Sequence, residues 1–195
     1  MWTIWTIIGI VAISLIGTLA HFLYDISGHN KILGLFTAVN ESTWEHIKIA
    51  ITPTLLWSAV DGYLYGSNPN YYFAKIISLI SLVIIIPTIF YSYKAIFNKS
   101  ILAIDILTFY LAITVSQLLF YFILGLSPVP YVVDYLCCGA TFVFFGAYLL
   151  LTLLPLKALV FRDPITNRYG FRGHSDKFNP FKKKHRKKSK NISGF

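Results

Sequence analysis

A chain of 195 residues with 56% hydrophobic and 13% charged residues cannot clothe a water-facing surface, where a soluble domain uses about 25% charged residues. Its mean hydropathy of +0.64 makes the bilayer the expected solvent. The net charge of +9 sits at one end: residues 157–195 hold 12 Lys/Arg and 2 acids, residues 1–156 hold 5 Lys and 6 acids.

Residues 2–24 form the first apolar run, with Trp2, Trp5 and Tyr24 as interface anchors. No Lys or Arg precedes Lys31, so the positive region of a cleaved signal is missing and a retained transmembrane helix is expected. Residues 25–39 read as a linker with Gly28, Asn30 and Gly34, whose apolar patch from Ile32 to Phe36 is expected along the interface. A second span runs from about Ser42 to Tyr65, with a kink expected at Pro53. After the turn Asn68-Pro69-Asn70 a third span covers 72–93, with a second kink expected at Pro87. A fourth covers 101–124, and a fifth runs from Tyr131 to Leu154 beyond the rigid turn Ser127-Pro128-Val129-Pro130. Each reaches the roughly 20 residues that cross the hydrocarbon core.

The expected fold is therefore an all-α bundle of five transmembrane helices over residues 1–161. A juxtamembrane turn segment, 162–179, follows, and then a disordered polybasic tail, 180–195. Lys31, Lys94 and Lys99 lie in the connections after spans one and three, while the turns after spans two and four hold no Lys or Arg. The positive-inside rule then puts the N-terminus outside and the tail in the cytoplasm, in the cytoplasmic membrane. Lys75 is the awkward charge, expected to snorkel outward from the end of span three. The adjacent Cys137 and Cys138 face different sides of a helix and are expected as small packing residues, since a disulfide between them would be strained.

Of 8 acids and 5 histidines, six fall between residues 21 and 46. His21 and Asp25 are four apart on one helix face, as are Glu41 and Glu45, with His46 beside them. If the two helices pack as a hairpin, these groups converge at one depth. His21, Asp25 and His46 then offer imidazole nitrogen and carboxylate oxygen to a divalent metal, Zn, Mn or Fe, with Glu41 and Glu45 as candidate catalytic carboxylates. A simpler role for Glu45 is a capping box, Ser42-Thr43-Trp44-Glu45, at the start of the second span. There is no His-Glu-x-x-His helix, Gly-x-Ser-x-Gly elbow or Gly-rich phosphate loop.

Asp61, Asp105 and Gln117 sit in apolar surroundings and define a rival polar path for a small carrier or ion-coupled permease. Asp134 reads as a helix-end carboxylate. The segments His21-Phe22-Leu23-Tyr24, Asn40 to His46, and Asp163-Pro164-Ile165-Thr166 with Tyr169-Gly170 resemble a family of small, uncharacterised bacterial multi-pass membrane proteins. The resemblance covers about residues 1–174 and excludes the basic tail. It implies a multispan architecture and contributes no catalytic residue.

Gly170 and Gly173 predict a folded-back turn after the fifth span. The run Lys182, Lys183, Lys184, Arg186, Lys187, Lys188 and Lys190 predicts binding to anionic lipids of the bilayer surface. Nucleic acid is not expected, because no stacking aromatics interleave with the run. The leading functional reading is a metal-dependent membrane-embedded enzyme, a hydrolase of lipid-like or membrane-bound substrates. The others are the carrier and a non-catalytic membrane partner anchored by its tail.

Overall fold

The computed structural model describes residues 2–174. Five helices form its body: α1 (Trp2–Ile26), α2 (Thr43–Tyr65), α3 (Tyr71–Phe97), α4 (Leu102–Leu124) and α5 (Tyr131–Leu153). Short 3-10 turns at Leu33–Leu35, Leu159–Phe161 and Gly170–Gly173 shape the connections. Among the described residues there is no strand, only an isolated antiparallel bridge between Arg162 and Tyr169. The basic run 182–190 lies outside the described residues.

Four helices, α1, α3, α4 and α5, are long and apolar enough to cross a membrane. The exception is α2, which carries Glu45, Lys48 and Asp61 along its length. It is nonetheless the most enclosed helix: from Thr43 to Thr54 every residue but His46 is buried. It packs between α1 and α3, α3 packs on α4 and α5, and α4 closes against α1. Ile13, Leu79, Leu82, Ala112 and Ile113 fill the centre with no exposed surface. Both α2 and α3 continue unbroken through Pro53 and Pro87.

The outermost helix is α5, in which only Tyr148 and Thr152 are buried. The Tyr148 hydroxyl donates to the Leu35 carbonyl at 3.0 Å, so Thr52 donates its own hydroxyl to the Tyr148 oxygen at 2.7 Å. Outward faces of α1 and α5 are apolar, as at Leu15, Leu19, Val132, Leu136 and Phe142, which is the surface that hydrocarbon prefers.

Lys75 does not snorkel. It is 2% exposed, with its Nζ 2.6 Å from Asp61 Oδ2 and 3.9 Å above the centre of the Phe120 ring. Asp61 also accepts the Tyr121 hydroxyl proton at 3.1 Å. A charge so enclosed persists because its partner is enclosed with it. At the same end Asn70 donates to the carbonyls of Ile123 and Leu126, at 3.1 and 3.0 Å, and accepts from Val129 N–H at 2.8 Å. It thereby ties the α2–α3 turn to the α4–α5 turn. Asp134 accepts the Phe73 N–H at 3.0 Å, capping the start of α3 from α5.

At the opposite end the segment after α5 folds back over the α1–α2 connection, as its glycines predict. Gly170 adopts φ +54, a left-handed conformation that favours glycine. Asn40 donates its amide to the Gly170 carbonyl at 2.9 Å, and Glu41 N–H donates to Asp163 Oδ1 at 3.0 Å. The other Asp163 oxygen accepts Ile165 N–H, Thr166 N–H and the Thr166 hydroxyl, at 3.1, 2.5 and 2.7 Å. This buried aspartate organises its own turn and the approach to α2.

Candidate functional site

The last two turns of α1 supply His21 and Asp25, stacked on one face. The helix then ends in a Schellman motif: Gly28 N–H reaches the Asp25 carbonyl at 3.2 Å and His29 N–H the Tyr24 carbonyl at 3.0 Å. Gly28 takes φ +69, and His29 follows at φ +67, uncommon for a residue with a Cβ. This turn brings the His29 ring back over the helix end, its Nε2 3.4 Å from Asp25 Oδ1.

His174 reaches the same oxygen from the folded-back segment, its Nε2 at 3.3 Å and its ring 4.4 Å from that of His29. Its Nδ1 lies 2.9 Å from the Val39 carbonyl oxygen. A carbonyl can only accept, so Nδ1 carries a proton, and Nε2 is the atom turned to Asp25, the one a metal would take. That Nε2 is buried and has no hydrogen-bond partner among the described residues. Asp25, His29 and His174 thus offer three ligand atoms within 4.8 Å of one another. A tetrahedral ion with bonds of about 2.0–2.2 Å sets its ligands about 3.4 Å apart, which matches both Asp25–histidine separations.

A second group adjoins it. Glu41 stands between two imidazoles, Oε1 3.9 Å from His21 Nε2 and Oε2 3.9 Å from His46 Nε2, with the two rings 5.7 Å apart. His46 Nδ1 donates to the Ser42 carbonyl at 3.0 Å, which turns Nε2 to the carboxylate. Burial raises the Glu41 carboxyl above the usual glutamate range. His46 opposes that shift and is outweighed, and the acids Asp163, Asp25 and Asp105 reinforce it.

A cleft bounded by His21, Asp25, Asn40, Glu41 and His174 joins the two groups, with about 20 Å³ of space for water. On the far side of Glu41 a second cleft passes His46 and Asp105 to Ile86, Phe90 and Phe109, with about 30 Å³. Such spaces admit water or an ion.

Glu45 belongs to neither group. It is 2% exposed, its Oε2 lies 2.6 Å from Lys48 Nζ, and it accepts Val39 N–H at 3.0 Å. Lys48 also donates to the Gly34 carbonyl at 2.8 Å. The expected capping box does not form: the Ser42 side chain makes no cap hydrogen bond, and Ser42 N–H turns to Asn40 Oδ1 at 2.8 Å. Glu45 and Lys48 instead satisfy the loop from Gly34 to Val39, through the Val39 N–H and the Gly34 carbonyl.

The rival polar residues are separated by structure. Asp61 is held by Lys75 and Tyr121. Asp105 accepts the hydroxyl protons of Tyr93 and, at 2.8 Å, Ser100. Gln117 is fully buried, and its amide has no hydrogen-bond partner among the described residues. It stands about 18 Å along α4 from Asp105, with the buried apolar Ala112 and Ile113 between them. His29 and His174 were not singled out by sequence reasoning. The i,i+4 spacing of Asp25 and His29 was a local signal for the first, and His174 had none.

The chain matches the family of unknown function DUF6512 over residues 2–171, and it belongs to that family. The matched stretch includes every residue of both groups except His174. No curated protein and no solved structure matches the chain.

Proposed function

We propose that this chain is a metal-dependent membrane-embedded enzyme, a hydrolase, with its centre where α1 ends and α2 begins. The observation that carries this reading is the Asp25 carboxylate oxygen, set at tetrahedral-edge distance from Nε2 of both His29 and His174. Imidazole with carboxylate suits Zn, Mn or Fe. Asp25, His29 and His174 would hold the ion, which would supply an acidified water. Glu41 lines the same cleft, and burial, which raises its carboxyl above the usual glutamate range, suits it to take and return a proton. The apolar side chains of Ile86, Phe90 and Phe109 beside Glu41 favour a lipid-like or membrane-bound substrate that presents only its reacting group to the cleft.

In this reading the bundle spans the cytoplasmic membrane five times. The charges of α2 do not oppose its insertion, because Lys48 neutralises Glu45 and Lys75 neutralises Asp61 inside the bundle. The Lys/Arg distribution supports an outside N-terminus, with the centre at the cytoplasmic face. The basic tail then meets anionic lipids, at about 1 kcal/mol per nearby basic residue. The carrier reading has less support, because Asp61 is already paired and an apolar layer divides Gln117 from Asp105.

The test is retention of metal and its link to hydrolysis. Protein stripped with chelator and reloaded with zinc should hold the ion in wild type and lose it in Asp25→Asn. Hydrolysis of ester or phosphoester dyes in nanodiscs should need zinc and fail in Glu41→Gln. Zinc retained equally by Asp25→Asn would refute the centre; zinc bound with no hydrolysis of any dye would leave a structural metal.

A further inference from the structure

We infer that His21, His46 and Glu41 hold a second divalent metal ion beside the one proposed at Asp25, His29 and His174, making the centre binuclear. The inference rests on that reading; its two histidines are not used there, while Glu41, the proton-transfer group there, becomes a ligand here. The two sites share α1, where His21 and Asp25 are one helical turn apart, and they open into one cleft.

Charge accounting is the first argument. Of the carboxylates enclosed by the helices, Glu45 has Lys48 and Asp61 has Lys75, each at 2.6 Å. Glu41 has no Lys or Arg within ion-pair distance among the described residues; its charged-group neighbours are the imidazoles of His21 and His46. Its side chain is only 25% exposed. An enclosed carboxylate wants a cation, and two neutral imidazoles with one carboxylate make a set that binds one.

Geometry is the second. Different oxygens of Glu41 face the two Nε2 atoms at the same 3.9 Å, so one carboxylate stands between both imidazoles. That separation exceeds a tetrahedral edge of about 3.4 Å by about half an ångström, a gap that side-chain rotation closes. The His46 ring is already aligned by its Nδ1–H bond to the Ser42 carbonyl, an outer hydrogen bond that ligating histidines ordinarily make. Glu41 is pinned through its backbone to Asp163. Ions held about one helical turn apart and facing one cleft would both reach a bound substrate group, one supplying an activated water and the other charge stabilisation. That chemistry would suit a phosphoester, whose several oxygens offer anionic charge to both ions.

The experiment is zinc stoichiometry of the full chain in detergent, stripped with chelator and dialysed against zinc alone. Wild type should bind two equivalents, His46→Gln one, His174→Gln one, and the double variant none. Two equivalents retained in His46→Gln, or a single equivalent in wild type, overturn the second site. Two equivalents retained in His174→Gln overturn the first site and leave this one standing; no zinc in wild type overturns both. Should a variant fail to fold, wild type loaded with two equivalents of Mn(II) decides alone. Its electron paramagnetic resonance spectrum should show coupled spins, and a spectrum of isolated ions overturns the shared centre.

Discussion

Asp25 Oδ1 and His174 Nε2 lie 3.3 Å apart, although one ends the first helix and the other closes the folded-back segment after the last. The contact is prepared from both sides. The Schellman turn at Gly28 fixes the end of α1, and the Val39 carbonyl fixes the His174 ring and its protonated nitrogen. The folded-back segment is therefore part of the candidate site as well as a cover for it. Through Asp163 it also sets the backbone of Glu41.

The Asp61–Lys75 pair is expected to stabilise the bundle only as a pair. Lys75→Met leaves a buried, uncompensated carboxylate and should cost about 3–5 kcal/mol, while Asp61→Leu with Lys75→Met should recover most of it. Unfolding of the single and double variants in detergent measures this. Losses that simply add would show that the two charges do not depend on each other.

Glu41 predicts a pH dependence in chelator-treated protein. Its folded pKa is raised, so the folded state holds the proton more tightly than the unfolded chain. Its stabilising contribution is complete below the ordinary glutamate pKa of about 4.3 and is lost as pH rises through the raised value. Glu41→Gln should remove that decline, leaving the variant at least as stable as wild type at neutral pH. Melting curves across this range that run parallel in the two proteins would contradict the assignment.

Much of this fold is legible in the sequence, because spans are written in local patterns. Apolar runs and the turn residues around Asn68–Asn70 and Ser127–Pro130 place all five helices, and only α3 runs noticeably longer, to Phe97. The crowding of acids and histidines near residues 21–46 marks the region in which the candidate groups lie. Its detail is not local. Lys75 near a helix end looks free to reach the interface until Asp61 is seen facing it across the turn. The Ser42-to-Glu45 spacing spells a cap, but Lys48 and the Val39 amide compete for the same carboxylate and win. His174 joins Asp25 only through the fold-back, which no spacing announces.

Orientation is testable with single cysteines at Ser67 and Asn98, both exposed, in a Cys137→Ala, Cys138→Ala background. A membrane-impermeant thiol reagent applied to intact cells should label position 67 and spare position 98 until the membrane is opened. The reverse pattern would move the candidate centre to the outer face.

The most direct measurement is zinc-edge X-ray absorption on the His46→Ala variant loaded with one equivalent, which isolates the Asp25, His29 and His174 position. The account predicts nitrogen and oxygen neighbours at about 2.0–2.2 Å, with outer-shell scattering from two imidazoles that falls to one when His174→Ala is added. A zinc environment without imidazole scattering, or one unchanged by His174→Ala, would contradict it.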